Sequence, residues 1–204
     1  MFCENYEEFT ALLEKHGFHV HSAGNRDEAK AIALGLAEGA QTAGFGGSVT
    51  VNELGIYEEL EKKGVKVYWH WKDKEHMNEM RRNSIFTDVY FASVNGISGG
   101  GSLINIDGTG NRVASQFFGP KKVVLVIGKN KYGKTFEDAM DHVKNVAAPV
   151  NAKRLGRKTP CAVTGKCADC NSPDRICRVT TIIDRPTTGV GEMHLILVDE
   201  ELGF

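Results

Sequence analysis

The chain has no surplus of either charge: 25 lysines and arginines stand against 26 aspartates and glutamates over 204 residues. That balance excludes a dedicated nucleic-acid binder, which needs a basic excess to neutralise a phosphate backbone. No apolar run approaches the length of a bilayer crossing, which excludes a membrane helix. The N-terminal MFCENYEEF carries acids where a secretory signal needs a basic and then an apolar stretch, so a cytoplasmic protein is expected. Internal repeats and low-complexity tracts are missing too. The seven histidines are scattered, and none is spaced with a carboxylate or cysteine as a catalytic triad would require. The length suits one well-buried α/β domain over residues 1–204 and is short for two.

Cysteine is nearly confined to one place. Four of the five, Cys161, Cys167, Cys170 and Cys177, fall within Thr159–Arg178, TPCAVTGKCADCNSPDRICR, and Cys3 stands alone. The spacing is C-x5-C-x2-C-x6-C. Gly165 and Pro173 bend the segment, and its apolar content is too low for a helix or a strand. A disulfide framework conflicts with a reducing cytosol. Buried, unconnected cysteines belong in apolar strands and not in polar loops. Metal binding or thiol redox chemistry remains, because two residues between cysteines let both sulfurs face one centre. Structural zinc usually shows two C-x-x-C pairs with a long spacer. One pair flanked by single cysteines is closer to an iron–sulfur arrangement, although neither standard ferredoxin spacing matches. Residues 159–178 are therefore read as a metal-binding loop holding a [4Fe–4S] cluster, with zinc as the alternative. Lys166, Arg175 and Arg178 would offset the thiolate charge in either case.

Elsewhere, helices alternate with strands. Apolar spacing predicts helices over Asn5–Lys15, from an Asn25 cap to Gly39, over Val51–Lys63, over Asp73–Arg82 and over Thr135–Val146. A brief helix is expected to end at Phe118. Strands are predicted at Phe18–His21, from Thr42 into a glycine loop, and at Val65–Trp71, Asp88–Val94, Ser102–Ile106, Val123–Ile127, Val179–Ile183 and His194–Val198. Gly96–Gly101 and Pro186–Gly191 read as turns. The alternation indicates a mainly parallel sheet covered on both faces, with ligands beyond the carboxyl ends of its strands.

Three loops could carry chemistry. Gly46, Gly47 and Ser48 end a strand and precede a helix, where a backbone can approach an anion. Thr50 and Glu53 make a T-x-x-E capping box, so Glu53 is either a cap or an acid/base group reaching a ligand. The second loop, Asp107-Gly108-Thr109-Gly110-Asn111-Arg112, exposes backbone amides beside a guanidinium able to grip phosphate or carboxylate. Its competing reading is a plain tight turn. Ser93, Asn95 and Asn105 end neighbouring strands facing the same cleft. The third, Gly128–Thr135, matches the G-x4-G-K-T of a phosphate-binding loop, with Lys134 as its lysine and a strand ending in Asp199-Glu200 behind it. Its interior positions are bulky, which argues instead for a solvated turn holding Lys129, Lys131 and Lys134.

Taken together, Gly46-Gly47-Ser48 with Thr50 and Glu53, the run Ile104–Ala114, and Gly119-Pro120-Lys121-Lys122-Val123 resemble the LUD domain of lactate-utilisation proteins. Asn151–Leu155 and the cysteine loop are similar to a cysteine-bearing branch of that family. The resemblance implies a fold like the NagB/RpiA/CoA-transferase superfamily. It also implies an oxidoreductase component working beside iron–sulfur partner proteins in L-lactate oxidation, and a cleft for a small carboxylate or phosphorylated ligand. No second ferredoxin-like cysteine set and no flavin motif accompany it, so a complete electron-transfer chain is not encoded here. Two alternatives stay open: an acyl-CoA, sugar-phosphate or folate-type enzyme of the same superfamily with structural zinc, and an ATP-dependent enzyme using Lys134.

Overall fold

A computed structural model describes all residues from Met1 to Phe204. The chain opens with α1 (Tyr6–Lys15), β1 (His19–Ala23), α2 (Arg26–Leu36), β2 (Thr42–Phe45), α3 (Val49–Leu54), α4 (Ile56–Lys62) and β3 (Lys66–Tyr68). It continues through α5 (Met77–Asn83), β4 (Val89–Ala92), β5 (Gly96–Ser98), β6 (Leu103–Asp107), α6 (Asn111–Phe117) and β7 (Lys122–Gly128). The last part holds β8 (Tyr132–Gly133), α7 (Phe136–His142), α8 (Ala148–Arg154), α9 (Pro160–Thr164), β9 (Val179–Ile183) and β10 (Glu192–Val198).

Six strands form one fully parallel sheet in the order β1-β10-β7-β4-β2-β3. Its central strands are continuous apolar runs because both faces are covered. Successive residues of β7 point to opposite sides. Val123, Leu125 and Ile127 join Phe9 and Leu13 of α1 on one face. Val124 and Val126 join Ala29 and Ala33 of α2, with Leu54 and Leu60, on the other. Each fully buried aliphatic side chain of this kind contributes about 1.5–3 kcal/mol. No helix is long and apolar enough to cross a membrane.

A second sheet, in the order β8-β5-β6-β9, was not anticipated. Gly96–Gly101 reads as a turn in the sequence, yet Gly96–Ser98 is a strand pairing antiparallel with Leu103 and Ile104. The glycine is there for packing: a Cβ on Gly96 would lie 2.8 Å from Cγ2 of Val143 and 3.1 Å from the Ala139 carbonyl oxygen. This sheet stands against α7 and closes one side of the carboxyl edge of the main sheet.

Four local expectations need correcting. The helix predicted over Val51–Lys63 is two helices, broken where Gly55 adopts φ +63°. The strand predicted over Val65–Trp71 pairs only from Lys66 to Tyr68. Ser48, not Thr50, caps α3, accepting from the Val51 amide at 3.2 Å, so the expected capping box does not form. Within the cysteine segment, Pro160–Thr164 forms a single helical turn, with proline at its first position where no N–H is needed.

Candidate functional site

At the carboxyl edge of the parallel sheet lies a cleft of about 860 Å³. One wall is built from the ends of β2 and β4 (Gly47, Ser48, Ser93) and from His70 and Trp71 after β3. The other is built from the β6–α6 turn, the end of α8 and residues 173–178 of the cysteine segment. Eight lysines and arginines line it against two aspartates, in a chain whose formal net charge is −1. The two acids are engaged: Asp107 pairs with Arg112 Nε at 3.5 Å, and Asp174 accepts from the Lys158 amide at 2.9 Å. A concave, positively charged cavity concentrates anions.

Arg112 braces this cavity from within. Its Nη1 donates to the Ser93 carbonyl at 2.8 Å and to Asn105 Oδ1 at 2.6 Å. Its Nη2 donates to Asn95 Oδ1 and to the Ile106 carbonyl, both at 2.8 Å. All four Nη hydrogens have protein acceptors and Nε faces its counter-charge on Asp107, so the guanidinium ties β4, β6 and α6 together instead of reaching outward. Asn105 is fully buried and also donates to Gln116, which places it behind the cleft. Asn95, by contrast, lines the cavity and accepts from the Ile106 amide.

The glycine positions are explained by close approach. A Cβ on Gly46 would stand 2.8 Å from Arg112 Cγ and 2.9 Å from the Tyr90 hydroxyl. One on Gly47 would stand 3.1 Å from Trp71 Nε1, and one on Gly108 would stand 3.0 Å from the Ile176 carbonyl. Gly110 takes φ +90° and donates to Asp107 Oδ1 at 2.7 Å, so this loop is a tight turn as well as a cleft wall. Asn111 lines the cavity, and its side-chain nitrogen has no partner. Glu53 is exposed on α3, outside the lining, where its carboxylate accepts from the Gly203 amide at 3.1 Å.

The sequence reading missed the floor of the cleft. Lys131, expected in a solvated turn, is 2 % exposed. Its Nζ donates to Thr50 Oγ1 and to Ser93 Oγ, each at 2.7 Å. Burial, reinforced by the Arg112 charge and opposed by Glu53, brings its pKa down to about 7. The one available signal was position: Lys129–Lys131 directly follows the carboxyl end of β7, where such folds bind ligands. The remainder of the G-x4-G-K-T match is structural. Tyr132 and Gly133 form β8, Thr135 caps α7, and Lys134 is exposed, so no phosphate-binding nest forms. Two further residues went unmarked. The Arg154 guanidinium stacks 4.9 Å from the Trp71 ring, joining the two walls, and His70 lines the cavity beside it.

The cysteine segment is positioned by the second sheet. β9 runs antiparallel to β6, so it begins where β6 ends, with Val179 opposite Asp107 at the cleft. Arg178 donates its amide to the Asp107 carbonyl at 3.0 Å. Arg175 holds the loop, donating to the carbonyls of Cys170 at 2.6 Å and Cys177 at 2.9 Å while pairing with Asp169 at 2.9 Å. All four cysteines are free thiols, Cys167 exposed and the others half-buried. Burial pushes the Cys177 thiol up, with Arg175 opposing and the nearby Cys167 and Cys170 adding to the rise. Four thiols on one segment fit a soft-metal or iron–sulfur centre by chemistry. In this conformation no three of their sulfurs, alone or with a neighbouring His, Asp or Glu, stand in metal-binding geometry.

A parallel α/β sheet with a basic cleft at its carboxyl edge, bordered by a thiol-bearing loop, defines the class. Residues 6–198 match the LUD domain. The chain belongs to the LUD-domain family. No curated protein matches the sequence. A crystal structure of a DUF162 family protein from Deinococcus radiodurans is similar in fold, with a TM-score of 0.52 at 14% identity. The likeness covers 97% of this chain and 100% of that one.

Proposed function

We propose that this LUD-domain protein is an accessory electron-transfer component of L-lactate utilisation. In this reading the basic cleft takes a small carboxylate or phosphorylated anion, and Cys161, Cys167, Cys170 and Cys177 hold an iron–sulfur cluster at its mouth. The observation that carries the proposal is the shared wall: the segment bearing the four thiols also contributes Arg175, Ile176 and Arg178 to the lining of the anion-attracting cavity. A ligand in the cleft and a centre on the loop would therefore be neighbours. When bound, such a cluster supplies one-electron transfer. The protein's own contribution is electrostatic. Arg175 lines the cavity and also feels the charge of Cys177 and Cys170, so it can offset negative charge in both places, and Arg178 adds a second cation to the lining.

The test is electron paramagnetic resonance on protein purified anaerobically and reduced with dithionite. A cluster signal that is lost in Cys170→Ser supports the redox assignment. Full-length protein that stays silent after reconstitution with iron and sulfide removes it.

A further inference from the structure

We propose that Lys131 is the group on which an anion entering the cleft is anchored, and that it takes up a proton from solvent as the anion binds. The inference rests on the reading of the cavity as an anion site, and adds to it the anchoring residue and a pH dependence.

The hydrogen-bond bookkeeping at Nζ leads there. The Thr50 hydroxyl gives its own hydrogen to the Leu202 carbonyl at 3.2 Å, and Ser93 gives its hydrogen to the Val94 carbonyl at 3.3 Å. Both oxygens can therefore only accept from Lys131. A neutral amine has two N–H groups, enough for these two acceptors, and keeps one lone pair. An ammonium has three, and the third lacks a protein partner. Lys131 makes no ion pair with any carboxylate, yet it lines the cavity. A buried, unpaired ammonium is costly, whereas a neutral amine held by two hydroxyls is not. An arriving carboxylate or phosphate reverses that preference by supplying the missing counter-charge and an acceptor for the third N–H.

The surrounding charges agree. Arg112 on α6 repels a proton at Lys131, and its own charge is already committed to Asp107. Glu53 on α3 favours the proton but is exposed. His142 on α7 is held below the usual imidazole range by burial first and by Lys131 next, with Asp141 opposing, so it favours the neutral form. His70, across the cavity, is lowered to about 4 and is neutral as well. In the empty cleft Lys131 is thus the group positioned to change charge near neutral pH.

The experiment is titration calorimetry of the full chain with pyruvate, L-lactate and sulfate, in buffers of different ionisation heat. These anions keep a constant charge from about pH 6 to pH 9, so any proton taken up enters the protein. The two carboxylates test the carboxylic ligand class, and sulfate tests the phosphate-like one. Whichever binds is expected to bring about one proton with it at pH 8 and close to none at pH 6. Its affinity is expected to fall about tenfold per pH unit above pH 7.5. His142→Gln is expected to preserve the uptake, and loss of uptake in that variant would assign the proton to His142 and overturn the proposal. Binding with no uptake at pH 8 and flat affinity also overturns it, while leaving the anion cleft in place. No binding by any of the three defeats the cleft reading and the proposal together. None of these outcomes depends on a Lys131 variant folding.

Discussion

The Arg112 guanidinium donates 2.6 Å to Asn105 Oδ1, joining an 8 % exposed cation to a fully buried amide behind the cleft. That bond is one of four from Arg112, in addition to the Asp107 pair, and together they hold three elements at one point. Arg112→Met keeps much of the volume but takes a donor from Asn105 Oδ1, Asn95 Oδ1 and the Ser93 and Ile106 carbonyls, and the counter-charge from Asp107. We expect a loss of about 3–5 kcal/mol in urea unfolding, the range for breaking a buried charge network on one side. A loss below about 1 kcal/mol would mean the network is dispensable.

Gly46 and Gly47 are adjacent but not equivalent. At Gly46 a methyl group meets Arg112 Cγ at 2.8 Å and the Tyr90 hydroxyl at 2.9 Å, both in fully packed surroundings. At Gly47 the nearest atom is Trp71 Nε1 at 3.1 Å, on the cavity side. Gly46→Ala should therefore cost about 1–3 kcal/mol, and Gly47→Ala distinctly less. Thermal melts of the two variants read the difference directly.

The sheet was legible because buried parallel strands such as Val123–Ile127 are unbroken apolar runs, and helices such as α1 and α2 repeat at helical spacing. The Asn25 cap accepts from the Glu28 amide, as expected. The small second sheet was hidden because β5 begins on Gly96, whose role is close packing and not strand propensity. Lys131 was hidden for a different reason. A Lys-Asn-Lys run looks solvated, and only the tertiary positions of Thr50 and Ser93, 81 and 38 residues away, make its burial tolerable. The turn at Asp107–Arg112 was recognised, yet the outward grip expected of Arg112 is directed inward by acceptors that local sequence does not announce.

His70 gives the fold a pH dependence. Burial first, with Arg81 adding to it and Asp107 opposing, lowers its pKa to about 4 from 6.5. A histidine depressed in the folded state binds fewer protons there than in the unfolded chain. Its stabilising effect is complete above about pH 6.5 and is lost as pH falls towards 4, up to about 3 kcal/mol. Unfolding curves at pH 7 and pH 4.5 should differ less for His70→Gln than for the native chain. Equal pH sensitivity would show that other histidines lowered by burial, such as His142 and His194, account for the acid loss.

Arg175 organises the cysteine segment by holding the carbonyls of Cys170 and Cys177. Arg175→Ala removes both bonds from a half-exposed loop whose other ties are few. Thiol labelling of Cys170 and Cys177 in the metal-free protein should accelerate severalfold, with the urea midpoint of the whole chain little changed. Unchanged labelling would mean that the remaining contacts, among them those of Arg178, Lys158 and Asn145, hold the loop without Arg175.

Metal and acid-labile sulfide analysis of protein isolated without oxygen, read beside its visible spectrum, addresses the inorganic centre at its source. The account predicts a brown protein with iron and sulfide in equal amounts, both lost when Cys167 and Cys170 are replaced by serine. A colourless protein carrying one zinc per chain, or no metal at all, would contradict it.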